Sequence, residues 1–267
     1  MRGSTSSWSS TCSARDDPAE PPRRPQPVPE PLTARRDAPD TQEQLMSTKA
    51  TRRALVVRGG WEGHSPVEAT DRFIPFLEQE GFTVEVHDSP DAYDDADALA
   101  ATDLVLQCYT QGVATDRQVT NLANAVAAGT GLAGWHGGIV DSYRSSPDYL
   151  HLTGGQWAAH PGGFVDYEVE VVPDRTDHPI VEGLDRWKHH TEQYWCLTDD
   201  LNDVLVTSRF EATPSTSWRS DLVVPAVWTR TWGRGRVFVS TIGHKLEDLD
   251  VPQVRVLTER GLLWAAR

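Results

Sequence analysis

Cysteine is scarce in this 267-residue chain: its three residues, Cys12, Cys108 and Cys196, show no metal-ligand spacing and are too scattered for a disulfide framework. That scarcity suits a reducing compartment, and a cytoplasmic location is expected. Basic residues are outnumbered, 25 Lys and Arg against 39 Asp and Glu, for a formal charge of −14. So acidic a surface argues against nucleic acid and anionic membranes as partners. No apolar run approaches bilayer length, and no apolar signal-type segment follows Arg2. Internal repeats are missing too. The glycine-rich stretch "RGGWEGHS" (58–65) lacks both the G-x-x-x-x-G-K-S/T phosphate loop and the G-x-G-x-x-G fingerprint, so nucleotide binding is not expected.

What is present divides unevenly. The first 48 residues hold eight of the 18 prolines and one aromatic, Trp8. Such a segment cannot bury enough apolar surface to offset its ordering entropy, so residues 1–50 are expected to be a disordered tail and 51–267 one domain. Met46 opens "MSTKATRRALVV", which reads as a natural start, so some of the tail is expected to be mis-assigned upstream sequence. With six Arg against seven Asp and Glu before residue 49, about −13 of the charge falls on the folded part.

Within that part, "ALVVRGG" (54–60) reads as a strand. A helix is then expected from Pro66 to Gly81, with Ser65 as N-cap and Glu68 closing a capping box. "FTVEVHD" (82–88) alternates as a strand, and "DLVLQCY" (103–109) is apolar throughout, as a strand buried on both faces is. Thr115 and Gln118 predict a second capping box, Gly129 a helix stop, and "GLAGWH" a further strand. Strand signals then dominate: "YEVEVV" (167–172), "VLVTSRF" (204–210), and a hairpin across Gly233-Arg234-Gly235. A last helix from Pro252 carries Val254, Leu257, Gly261 and Leu262 on one face. The expected fold is an α/β open sheet, flavodoxin-like, mostly parallel with antiparallel edge strands and helices on both faces.

In such a sheet ligands bind beyond the carboxyl ends of the strands. Three histidines are expected there from three different strands: His64, His136 after "GLAGW", and His244 after "RVFVSTIG". One alone reads as a satisfied loop histidine; three at equivalent ends read as a shared site. Gly60 in "GGWEGH" and Gly137 and Gly138 in "WHGG" are expected to let backbone approach a substrate, beside Trp61. Two tight turns are the plainer alternative. "LTGGQWAAHPGGF" (152–164) reads as an irregular loop presenting Trp157 and His160. "HHTEQYW" (189–195) offers Glu192 as acid or base, with Tyr194 and Trp195 as flat apolar faces or as ordinary core. Aromatic faces beside carboxylates and imidazoles suit a sugar, whose C–H faces stack while its hydroxyls need paired partners. The candidate catalytic groups are therefore His64, His136, Glu192 and His244. The candidate substrate contacts are Gly60, Trp61, Gly137, Gly138, His160 and Tyr194. His136 is expected to reach into a wet pocket and to contribute little packing.

Six stretches in order, "GGWEGH", "GLAGWHGG", "LTGGQWAAHPGGF", "DHPIVEGL", "TEQYW" and "VWTRTWGRGRVFVSTIGH", resemble the ThuA-like family over about residues 52–266. That family is named for trehalose utilisation and has the class I glutamine amidotransferase-like fold. The resemblance implies a 3-keto-disaccharide or related sugar as substrate and a sugar dehydrogenase as a partner in the same pathway; it allows a homo-oligomer. The family's usual "DEQY" is here Thr191-Glu192-Gln193-Tyr194, so an acid is missing at 191. True amidotransferases carry a Cys nucleophile at the strand-to-helix elbow and a later His-x-Glu pair. Here His136 stands at the elbow, and Lys245 and Leu246 follow His244, so glutaminase activity is not expected. Two chemistries remain open on the residues: acid–base catalysis beside a ketone, or a divalent metal held by His64, His136 and His244, which no H-x-H or H-x-x-x-H spacing supports. A non-catalytic carbohydrate-binding or regulatory module is the alternative to an enzyme.

Overall fold

A computed structural model describes residues 51–267; the expected tail at 1–50, with Cys12 and Met46, lies outside the described residues. Strand β1 (Arg52–Gly60) buries Ala54 and Val56 on one face and Leu55 and Val57 on the other. A strand apolar on both sides has to be covered twice. The helix expected after it forms in two pieces, α1 (Pro66–Asp71) and α2 (Ile74–Gln79). Pro75 has no N–H to donate to the preceding turn, which interrupts a continuous helix at that point. The expected capping box is not made: Ser65 takes a left-handed φ of 44° and its side chain caps nothing.

There follow β2 (Phe82–His87), α3 (Ala96–Ala100), β3 (Leu104–Thr110), α4 (Asp116–Ala128) and β4 (Gly131–Trp135). The short α3, capped by Asp95 onto the Ala98 N–H, was not expected from the sequence. The Thr115–Gln118 capping box on α4 is complete in both directions. Next come α5 (Gly137–Val140), α6 (Pro147–Thr153), β5 (Gly155–Ala159) and β6 (Phe164–Val171). β5 lies inside the stretch read as irregular loop and pairs antiparallel with β8 (Trp195–Thr198), so that expectation is corrected. β7 (Trp187–Glu192), β9 (Asp203–Phe210), β10 (Leu222–Trp232), β11 (Gly235–Ser240), α7 (Leu246–Asp250) and α8 (Pro252–Ala265) complete the chain.

Nine strands form one sheet in the order β2-β1-β3-β4-β11-β10-β9-β6-β7. The first five are mutually parallel and follow the flavodoxin-like order. The last four continue antiparallel, entered through the hairpin at Gly233-Arg234. Two cores result. Phe73, Leu77, Trp135, Phe238, Val254 and Leu257 pack under α1, α2 and α8 on one face. Leu99, Val105, Leu122, Val126, Leu132 and Tyr149 pack under α3, α4 and α6 on the other. β1, β4 and β11 run the same way, so the loops that leave them open on one edge.

Candidate functional site

His64 closes a one-turn 3-10 segment after β1, His136 follows β4 directly, and His244 lies in the loop after β11. The three rings meet edge to face: centroids are 4.7 Å (His64–His136), 4.9 Å (His64–His244) and 5.2 Å (His136–His244) apart, with planes crossed at 74–87°. The constellation expected from the strand ends is thus a spatial one. Glu192 joins it from β7. Its Oε2 lies 3.3 Å from His136 Nε2 and 3.1 Å from His244 Nδ1. Four strand-to-strand steps separate β11 from β7, about 19 Å in a flat sheet, so the antiparallel half has to curl back over the edge. A bulge in β10 between Pro225 and Trp228 lies between the halves, and bulges bend strands. The closing tie is Asp248, which the sequence reading missed. Its Oδ2 accepts from Thr191 Oγ1 at 2.6 Å and from the Lys245 N–H at 2.9 Å, binding the end of β7 to the loop that carries His244. Thr191, where the family's acid is missing, is used here as a hydroxyl donor to a carboxylate from elsewhere in the chain.

His136 carries the strongest local signature. Its φ of 47° and ψ of −142° lie in a region that non-glycine residues rarely occupy. Such backbone costs about 1–3 kcal/mol and gathers at functional turns, the nucleophile elbow among them. The Nδ1–H donates to the Thr241 carbonyl at 2.8 Å. A carbonyl can only accept, so in a neutral ring Nε2 holds the lone pair. The ring is buried, at 1 % exposure, and stacks on Tyr194 at 3.8 Å. The expectation of a wet-facing ring with little packing is therefore wrong: the turn carries His136 inward, under Tyr194. His64 Nδ1 pairs with Thr110 Oγ1 at 2.8 Å, which leaves its Nε2 unengaged.

Burial, reinforced by His136 and His244, lowers the His64 pKa to about 3. Burial also lowers His136. Burial alone would raise Glu192, but the closeness of the His136 and His244 rings to its carboxylate outweighs that and holds the carboxyl below its ordinary range. Burial therefore favours neutral rings at His64 and His136 beside an ionised Glu192.

The other candidates separate. Trp61, 48 % exposed, flanks His64 and His244 at the rim. Phe164 also lies against His244, 46 % exposed and 5.0 Å from its ring, a contact whose only sequence signal was an apolar residue ending "HPGGF". His160 Nδ1 stands 3.7 Å from Glu192 Oε1, with the ring partly exposed. Trp157 packs against His160 and Tyr194. Trp195 lies elsewhere, against Phe210 and Trp218. A cavity of about 760 Å³ on that side is bounded by Pro161, Gly162, Gln193, Phe210 and Trp218 but by none of the four converging groups.

The three glycines are closely packed by protein on their Cβ side. A Cβ on Gly60 would meet Thr110 O at 1.9 Å, one on Gly137 would meet His64 Cε1 at 2.4 Å, and one on Gly138 would meet Cys108 Cα at 2.9 Å. Protein packs tightly enough on each of them to leave no room for a side chain. Cys108 is buried within β3, and burial pushes its thiol up to about 12. Among the described residues no helix is long and apolar enough to cross a membrane.

Comparison with known proteins agrees with this fold. The ThuA family, described as trehalose utilisation, matches residues 53–265. No curated protein matches the chain. A ThuA-like protein of Parabacteroides merdae ATCC 43184 superposes with a TM-score of 0.63 at 20 % identity, over 80 % of this chain and 89 % of its own. Another from Bacteroides uniformis ATCC 8492 gives 0.62 at 16 % identity, over 80 % and 91 %. A cytoplasmic protein of Salmonella typhimurium LT2 gives 0.56 at 13 % identity, over 81 % and 100 %. At these identities the likeness is one of fold.

Proposed function

The chain belongs to the ThuA trehalose-utilisation family, and on that footing we propose that it is a cytoplasmic enzyme acting on sugars whose ring bears a ketone, 3-keto-disaccharides above all. The observation that carries the reading is the convergence of His64, His136, His244 and Glu192 at one edge of the sheet, with His136 held on a strained elbow. A module that only binds sugar needs no such convergence of titratable groups, with His64 and His136 lowered by burial and Glu192 lowered by its neighbours. The exposed faces of Trp61 and Phe164 at the rim suit the C–H faces of a pyranose.

A ketone acidifies the C–H between it and the glycosidic carbon. A base takes that proton, the electron pair forms a C=C bond, the glycosidic C–O bond breaks, and the departing oxygen gains a proton. No oxidant or reductant is consumed. The one N–H that a neutral His64 or His244 can carry would stabilise the enolate oxygen, while the Glu192 carboxylate can only accept a proton. His160, beside Glu192 and partly open to solvent, is placed to move the proton. The substrate would come from oxidation of a ring hydroxyl, which is the work of a sugar dehydrogenase. Glutamine hydrolysis has no place here, since the elbow bears an imidazole and Cys108 is a buried, protonated thiol.

The test is turnover of a 3-keto-glycoside by the wild-type protein, His136→Ala and His136→Gln, beside their melting temperatures. We expect a loss of about a hundred- to ten-thousandfold in both variants. Because the ring is buried, His136→Ala should also lose stability, and His136→Gln, which fills more of the space, should lose less. Full turnover by a folded His136→Gln would remove His136 from the chemistry, and no turnover of any keto-sugar by the wild type would defeat the reading.

A further inference from the structure

Three nitrogens and one carboxylate meet at a point where protons alone serve them poorly. His136 gives its Nδ1–H to a carbonyl, so its Nε2 faces Glu192 Oε2 and His244 Nδ1, each at 3.3 Å, as a bare lone pair unless the buried ring becomes a cation. An ionised Glu192 can only accept. His244 Nδ1 can carry one proton, enough for one of its two neighbours. Acceptors therefore confront each other among largely buried side chains. We infer that His64, His136, Glu192 and His244 form a single binding site for a divalent transition-metal ion, with Glu192 as the fourth ligand.

The dimensions agree. One ligand atom from each of the four residues lies within 4.8 Å of all the others. Three of them, His136 Nε2, His244 Nδ1 and Glu192 Oε2, form a triangle with sides of 3.3, 3.3 and 3.1 Å. Metal–ligand bonds of about 2.0 Å at tetrahedral angles put ligand atoms roughly 3.3 Å apart. The surroundings agree as well. A metal-bound histidine almost always engages its other ring nitrogen with a fixed partner, which sets the tautomer. His136 does so with Thr241 O, and His64 with Thr110 Oγ1. The crossed ring planes aim nitrogens at a common point instead of stacking the rings. Three imidazoles and one carboxylate select zinc and its first-row neighbours over magnesium or calcium, which prefer oxygen.

No pair of these ligands shares a helix or a short motif, which is why no spacing announced the site. Its role in polarising a substrate ketone rests on the sugar reading; the binding itself does not.

The experiment titrates the full chain, stripped with chelator, with Zn²⁺ by calorimetry and with Co²⁺ by visible absorption. We expect one ion per chain, Co²⁺ bands of the intensity given by four or five ligands, and no competition from millimolar Mg²⁺. Glu192→Gln and His244→Ala, each confirmed as folded by circular dichroism and melting, should weaken Zn²⁺ binding by about a hundredfold or more, beyond the usual effect of an outer partner. A stripped wild-type protein that binds neither ion, or folded variants that bind as tightly as wild type, would overturn the inference. Keto-sugar turnover is scored separately: full turnover by stripped protein that binds no metal sinks the metal site and leaves the sugar reading. Metal bound by these residues without any keto-sugar turnover does the reverse.

Discussion

Gly137→Ala offers a perturbation that adds one methyl group and touches one ligand. The new Cβ would stand 2.4 Å from His64 Cε1, 2.7 Å from its Nδ1 and 3.1 Å from Thr110 Cγ2. Carbon atoms at rest lie about 3.5–4.0 Å apart, so the imidazole must retreat by roughly 1 Å. That retreat strains the 2.8 Å bond between His64 Nδ1 and Thr110 and draws the ring off the point shared with His136 and His244. Misplacing a reacting group by about 1 Å can cost about a hundredfold in rate, and a similar loss of Zn²⁺ affinity is expected. Stability should fall far less. Gly137 begins a helical turn and its φ is not left-handed, so alanine fits the backbone. Overpacking costs about 1–3 kcal/mol, and the helical preference of alanine over glycine returns about 0.5–1 kcal/mol. A net loss of about 1–2 kcal/mol corresponds to roughly 2–8 °C in a domain of this size. The assay pairs Zn²⁺ titration and keto-sugar turnover with thermal melting. Combining Gly137→Ala with His64→Ala supplies the control, because without the ring the methyl has nothing to displace and should add no further loss. Wild-type affinity and turnover in Gly137→Ala, or equal damage in the His64→Ala background, would refute the reasoning.

Cys108→Ser should leave turnover and Zn²⁺ affinity nearly unchanged, and Cys108 should resist iodoacetamide at neutral pH, since burial holds its thiol at about 12; rapid alkylation with loss of function would contradict this. Asp199 is raised by burial, but the 2.9 Å hydrogen bond and charge of the buried Arg230, together with the Leu201 N–H and His151, outweigh it, so its folded-state pKa lies below the ordinary value. Its contribution to stability is thus present above the ordinary carboxylate range and lost as the pH falls through the lowered value. The melting difference between wild type and Asp199→Asn should be largest near neutrality and close below about pH 4. A difference that does not change with pH would show that the pair does not stabilise the fold through its charge.

Much of the fold could be read locally. The strand at 54–60, the two-sided burial of the strand at 103–109, the Thr115–Gln118 capping box and the Gly233-Arg234 hairpin follow from patterns a few residues long, and each forms as expected. Where a local pattern failed, a stronger constraint displaced it: Pro75 split the helix whose cap Ser65 was expected to make, and pairing with β8 drew β5 out of an apparent loop. Parallel topology also brought His64, His136 and His244 to one edge, because residues that end parallel strands share that edge wherever they fall in the chain.

Position within the site was another matter. Glu192 could be picked out as an acid, yet its place beside His136 depends on the curl of a sheet half four strands away. Asp248, which ties that half to the His244 loop, gave no local sign at all. The glycines announced close approach but not what approaches, and only packing identifies His64 and Cys108 as the neighbours. Residue type and strand order are encoded over short stretches and survive without the rest of the chain. The tautomer of His136 is set by a carbonyl 105 residues away, and the gathering of four ligand atoms within 4.8 Å by the packing of strands that meet only in the folded sheet.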